Sequence, residues 1–159
     1  MPKRSAGLLP FRRQPTGHVE IFIVHPGGPF WAGKDDGAWS IAKGEHESGE
    51  DDRAVAHREF IEEIGVEAPS GRTLDLGEVK QPSGKRIRVW AIEAPDFVVS
   101  TVQSNEFELE WPPRSSKIQR FPEVDRAQWF PLPTARTKLV KGQVEFLDRL
   151  SSILGGPED

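Results

Sequence analysis

Cysteine is absent from the 159 residues, which removes disulfides, thiolate zinc sites and a cysteine nucleophile together. Stability must come from packing, and a reducing compartment suits the chain. Long apolar runs are missing as well. The stretch Ile21 to Val24 is far short of the roughly 20 residues that a spanning helix needs, so a membrane-spanning helix is excluded. Leu8, Leu9, Pro10 and Phe11, followed at once by Arg12 and Arg13, are too few for a signal-peptide core, and the expectation is a cytoplasmic protein. No basic stripe runs through the chain, whose net charge is −4; long nucleic acid is disfavoured, because phosphate neutralisation drives that binding. What remains is 36% hydrophobic and 29% charged, a composition and length that fit one globular domain over residues 1–159.

Charge of one sign is concentrated in one place. Glu45, Glu47, Glu50, Asp51, Asp52, Glu59, Glu62 and Glu63 stand against Arg53 and Arg58, so this segment carries −6 while the rest of the chain carries +2. Self-repulsion of that size marks either a solvated acidic face or a cation site.

Around this segment the patterning predicts strands and two helices. Residues 5–12 and 18–25 form a strand pair about Pro15-Thr16-Gly17, and residues 39–42 form a short extended piece. A helix over about 51–64 has acids in its first turn and Gly65 where it stops. Residues 73–80 and 86–93 flank Gln81-Pro-Ser-Gly84 as a hairpin. Strands at 105–111 and 127–130 follow, then a C-terminal amphipathic helix at about 142–154 with Val144, Phe146, Leu147, Leu150 and Ile153 on or near one side. The fold class is α/β (α+β), a sandwich around a mixed sheet.

On a helical wheel Glu59, Glu62 and Glu63 fall within about 100° of one another, the i, i+3, i+4 relation. Phe60, Ile61, Ile64, Ala54 and Ala56 lie mostly on the opposite side, free to dock on a sheet. Arg58 precedes Glu62 by four residues and can hold it in place. Three ionised carboxylates this close raise one another's pKa unless a cation lies between them. Oxygen donors without cysteine or paired histidine favour Mg²⁺, with Mn²⁺ as a substitute, over Zn²⁺.

The spacing discriminates between the two readings. Gly44, Glu50, Arg58-Glu59-Phe60, Glu62-Glu63 and Gly65-Val66 span 23 residues. They resemble the signature box of the Nudix hydrolases, matching it at all seven invariant positions. A chance match has a frequency of about one in 10⁸ per start position at ordinary residue usage. Phe60 stands where the family usually has Ile, Leu or Val, a change that touches helix packing rather than ligation. Trp39-Ser-Ile-Ala-Lys43-Gly44 is similar to the Trp-x-x-Pro-Lys-Gly approach of diadenosine polyphosphate hydrolases, with Ala42 in place of Pro. Pro26 to Trp31 and Glu110 to Arg114 look like a bacterial group of predicted nucleoside triphosphate pyrophosphohydrolases.

The resemblance implies an α/β/α sandwich and a Mg²⁺-dependent pyrophosphohydrolase acting on a small nucleotide. By family analogy Glu59, Glu62 and Glu63 are metal ligands with the Lys43 carbonyl, and Glu50 orients Arg58 or a ligand water. A general base is expected outside the box: Glu123, six residues before Trp129, is the first choice, with Glu106, Glu108 and Glu110 as competitors. For the substrate, Lys43 could meet a phosphate; Trp31, Trp39 and Trp111, near loops or breaks, are candidate base clamps; Trp90 and Trp129 read as core. Arg114, with Lys80, Lys85 and Arg86 of the hairpin, could meet distal phosphate. His25, His46 and His57 read as structural or solvated rather than catalytic. Dinucleoside tetraphosphates or nucleoside triphosphates are the expected substrates. The alternatives are a sanitising hydrolase of oxidised deoxynucleoside triphosphates, a catalytically silent nucleotide-binding module and, more weakly, an RNA 5′-end hydrolase. Pairing of the C-terminal helix with a second copy is open.

Overall fold

The computed structural model describes residues 3–47 and 49–155. The ends of the expected 1–159 span therefore lie outside the described residues.

A six-stranded sheet organises the chain. Its strands are β1 (Arg4–Arg13), β2 (Val19–Pro26), β3 (Ala42–Glu45), β4 (Thr73–Lys80), β5 (Arg86–Glu93) and β8 (Val124–Pro131), in the order β4-β5-β1-β2-β8 with β3 also pairing β1. β1 is the hub. It runs parallel to β5 along its length, antiparallel to β3 through Ser5–Leu8 and antiparallel to β2 through Phe11–Arg13. A Cβ on Gly7 would lie 2.6 Å from the Ala42 carbonyl and 2.8 Å from the Lys43 Cβ, so the missing side chain lets β3 close on β1 and fixes where Lys43 and Gly44 sit.

Both faces of the sheet are covered, which is why its central strands read as continuous apolar runs rather than strict alternation. Leu8, Phe22, Val24, Ala42 and Trp90 face helix α1 (Asp52–Ile64). Leu9, Ile21, Ile23, Ile41 and Val89 face the opposite layer, built on α2 (Leu132–Lys138) and α3 (Val144–Ile153). A single 3₁₀ turn, Lys141–Gln143, leads into α3.

Helix α1 is bounded as its sequence demands. Asp51 accepts a hydrogen bond from the Ala54 N–H at the N-cap, and Gly65 ends the helix at φ 91°, its N–H donating to the Ile61 carbonyl. Val55, Ala56, Phe60 and Ile64 form the buried stripe, whereas Ile61 is 43% exposed and Ala54 is exposed; the docking face is narrower than the wheel predicts and shifted toward Val55.

Two elements escape the sequence pattern. α2 begins Leu132-Pro133, and proline at the start of a helix removes only an N–H that has no partner there. β7 (Ile118–Pro122) pairs with β6 (Glu106–Glu110) in a two-stranded ribbon apart from the main sheet, and its Ile118-Gln-Arg-Phe-Pro sequence shows no alternation. β8 is longer than the expected 127–130, β3 lies three residues later than the expected 39–42, and Ile153 of α3 is 46% exposed rather than docked.

Candidate active site

The box residues lie on two elements and the loop between them. β3 presents Lys43 and Gly44, α1 presents Arg58, Glu59, Glu62 and Glu63, and Glu50 comes from the connecting loop. Glu50 grips Arg58 with both carboxylate oxygens, taking Nε at 2.9 Å and Nη2 at 2.8 Å, and also accepts the Glu47 N–H. The same guanidinium donates through Nη1 to Glu59 and Glu62, each at 2.7 Å, and through Nη2 to the Glu45 carbonyl. Arg58 is thus the bracket between loop and helix. Its partners hold it firmly charged and keep the Glu50 carboxyl below its ordinary range.

Gly44 has no side chain for a visible reason. A Cβ there would stand 1.9 Å from the Glu59 carboxyl carbon, so the glycine is the recess in which that carboxylate sits. Glu59 is pushed up from its ordinary value by burial and by the charge of Glu62, despite Arg58. Burial pushes Glu63 up to about 8; the Lys43 charge opposes this, and Glu59 and Glu123 add to it. Lys43 is lowered by its own burial and by Lys85, with Glu63 acting against that. The Glu63 Oε1 is buried and has no hydrogen-bond partner.

Lys43 and Glu63 open on a cleft of about 390 Å³ whose wall also includes Trp31, Gln81, Glu123 and Gln143. A wider hollow of about 690 Å³ between β4 and α3, lined by Leu76, Arg149 and Ile153, holds no residue of the box. Glu123, just before β8, is raised by burial and by the Glu62 charge. One residue links the pair: Asn105 donates from Nδ2 to the Glu62 carboxylate and from its backbone N–H to the Glu62 carbonyl, while its own backbone carbonyl accepts the Glu123 N–H.

A hard divalent ion suits this donor set. The carboxylates are oxygen donors, one buried carboxylate oxygen of Glu63 lacks any partner, and Glu59, seated in the glycine recess, lies close enough for its charge to act on Glu63. Among the described residues no three acidic or histidine side chains are already drawn together tightly enough to hold an ion; Arg58 lies between Glu59 and Glu62.

The other residues that the sequence singles out scatter over the fold. Trp31 is in the cleft wall. Trp39 is 1% exposed, edge-on to Phe130 with its indole N–H on Asp35, and so offers no face to a base. Trp111 packs against Phe30 at 5.4 Å, and Arg114 is in the turn that joins β6 to β7. Glu106 and Glu108 pair with Arg120, and Glu110 accepts the Ser116 N–H, all on the ribbon. Lys85 pairs with Glu45 and Arg86 with Glu78. Trp90 is core, and Trp129 is partly buried with its N–H on the Phe97 carbonyl. His46 contacts Asp52, and His25 is fully buried. Sequence reasoning missed Asn105, Gln81 and Gln143. Gln143 is buried and ties the Ser40 hydroxyl and the Ile41 N–H beside Lys43. The contacts of Asn105 and Gln143 cross 43 to 103 positions, and no local spacing signals them.

Similarity to known proteins agrees with the geometry. A family model described as "NUDIX domain" matches residues 1–150. The Ap4A hydrolase of C. elegans in a binary complex aligns over 94% of this chain and 97% of its own at 20% identity, with a TM-score of 0.62. The NUDIX domain of NrtR from Shewanella oneidensis, complexed with ADP ribose, aligns over 97% and 89% at 13% identity and the same TM-score of 0.62. The E. coli ORF135 protein aligns over 97% and 93% at 20% identity, with a TM-score of 0.58. No curated protein matches. Among the described residues no helix is long and apolar enough to cross a membrane. With the family model over most of its length and the box intact on the strand and helix that present it, the chain belongs to the NUDIX domain family as a hydrolase of phosphoanhydride bonds.

Proposed function

We propose that the protein is a Mg²⁺-dependent pyrophosphohydrolase of nucleoside polyphosphates, with a dinucleoside tetraphosphate as its first-choice substrate. The observation that carries this reading is the partnerless buried oxygen of Glu63 beside Lys43, in a cleft that also holds Glu123 and Trp31. Glu59, Glu62, Glu63 and the Lys43 carbonyl would hold the ion. When bound, a divalent ion neutralises diphosphate charge and makes water a competent nucleophile near neutral pH.

The remaining work falls to the chain's own groups. Arg58, fixed by Glu50, orients Glu59 and Glu62. Lys43 offers positive charge to a phosphate oxygen. Glu123, with its carboxyl pulled toward neutral pH, takes the proton of the attacking water. Trp31 stacks on a base inside the cleft, and the Phe30–Trp111 pair, with Phe30 58% exposed, gives a separate aromatic face next along the chain. Two such faces suit a substrate with two bases.

Product analysis after incubation with Mg²⁺ tests the reading. AMP plus ATP from diadenosine tetraphosphate supports it. Monophosphate plus pyrophosphate, obtained only from oxidised deoxynucleoside triphosphates, transfers it to the sanitising class. Unchanged turnover in both Glu62→Gln and Glu63→Gln refutes the assigned chemistry.

A further inference from the structure

Outside the glutamate site, the last residue but one of β2 is a histidine with two acceptors for partners. His25 is wholly buried; Nδ1 lies 2.8 Å from Asp125 Oδ1 of β8, and Nε2 lies 2.6 Å from the Lys34 carbonyl oxygen. An imidazole can donate to a carboxylate and a carbonyl at once only when both nitrogens carry a proton. The ring therefore makes a complete tie in its imidazolium form and half a tie in its neutral form.

The groups around it are few. Arg126 of β8 stands 3.8 Å from Asp125 and over the Trp39 ring, and Trp39 is edge-on to His25 at 5.2 Å. From the loop, the Lys34 ammonium turns away to the Trp31 ring at 5.3 Å. Asp35 takes the Trp39 indole N–H and pairs with Lys138 of α2. Asp125 is thus the acid in direct contact with the ring.

The held carbonyl belongs to the loop that carries Trp31. The Trp31 N–H donates to the Gly28 carbonyl and the Trp31 carbonyl accepts the Lys34 N–H, so residues 28–34 run as two linked turns that end where His25 grips. Trp31 lines the cleft.

We infer that His25 is a positioning residue: its imidazolium ties the Trp31 loop to β8 through Lys34 and Asp125, so that substrate affinity falls as the ring loses its proton. The inference rests on reading the cleft as the nucleotide site. In His25→Gln, whose one amide nitrogen reaches only one of the two acceptors, KM rises about three- to tenfold while kcat stays within about twofold, and the dependence of KM on pH that the ring confers is lost. Asp125→Asn keeps an acceptor but removes the charge, and alters the same dependence. KM–pH profiles of both variants that superimpose on the unaltered protein overturn the inference, and if His25→Gln does not fold, the Asp125→Asn profile decides alone.

A second measurement needs no turnover. Quenching of Trp31 by acrylamide, isolated by difference from Trp31→Phe, increases with pH in the unaltered chain and does not in Asp125→Asn over the same range. Quenching that is flat in the unaltered chain overturns the tie. Absence of hydrolysis of every nucleotide, with quenching still pH-dependent, sinks the proposed function and leaves the tie standing.

Discussion

Two stretches of this chain carry three glutamates at the period of their own secondary structure, and they have opposite fates. On α1 the side chain of Glu59 is 14% exposed and shares one guanidinium with Glu62, and Glu63 is half-buried with its Oε1 shut off from solvent. On β6 the Glu106 and Glu108 side chains are 50% and 63% exposed and meet Arg120 in solvent. Residue type and periodicity are the same in kind. What separates them is the surface beneath: α1 lies against the main sheet with β3 alongside, while the ribbon of β6 and β7 is a sheet of two strands. Carboxylates hold their protons to unusually high pH where water is excluded, and spacing alone does not exclude water.

The sharpest way to break this contrast is to neutralise one glutamate of each set. Glu63→Gln is expected to lower Mg²⁺-dependent turnover about a hundredfold or more. Next in size is Gly44→Ala. The new methyl meets the far end of the Glu59 side chain rather than backbone, so turnover should fall about ten- to a hundredfold with the melting temperature nearly unchanged. A melting temperature that collapses along with turnover would show the glycine to be structural instead.

A smaller effect concerns pH. Glu63 is raised from 4.5 to about 8, and Glu59 and Glu123 are raised as well. Between those values the folded chain holds a proton that the unfolded chain has released. Metal-free stability therefore falls as pH climbs through this window, and a thermal-shift series without divalent ions should show it. The gain on adding Mg²⁺ should grow over the same window, since ligation needs the carboxylate. The smallest effect is on the ribbon: Glu108→Gln should change stability by no more than about 0.5 kcal/mol and leave turnover unaltered.

Why the sequence tells these stretches apart only through the box is a matter of range. Caps, a 3.6-residue stripe and the i, i+4 pairing of Arg58 with Glu62 are local, and the chain alone discloses α1 and its acidic face. The hairpin of β4 and β5 is equally legible from its turn. β7 is not, because a strand of five residues ending in proline and lacking alternation carries no pattern of its own. α2 is hidden by Pro131 and Pro133, which read as breakers and serve instead at its start. Among the tryptophans, composition ranks Trp31 and Trp39 alike as lying near breaks. Only the fold sends one into the cleft wall and the other under Phe130. Asn105, which bridges α1 and the Glu123 loop, is reached across 43 positions, and nothing near it in the chain announces that span.

Arg58, finally, bears on how the site comes into being. A cluster of acids assembled around nothing would push itself open during folding. Here the polypeptide supplies an internal counterion, fastened from behind by Glu50, and the pocket can mature before any inorganic cation arrives. Replacing that guanidinium with a neutral group should make refolding depend on added salt, an order of events in which charge balance precedes catalysis.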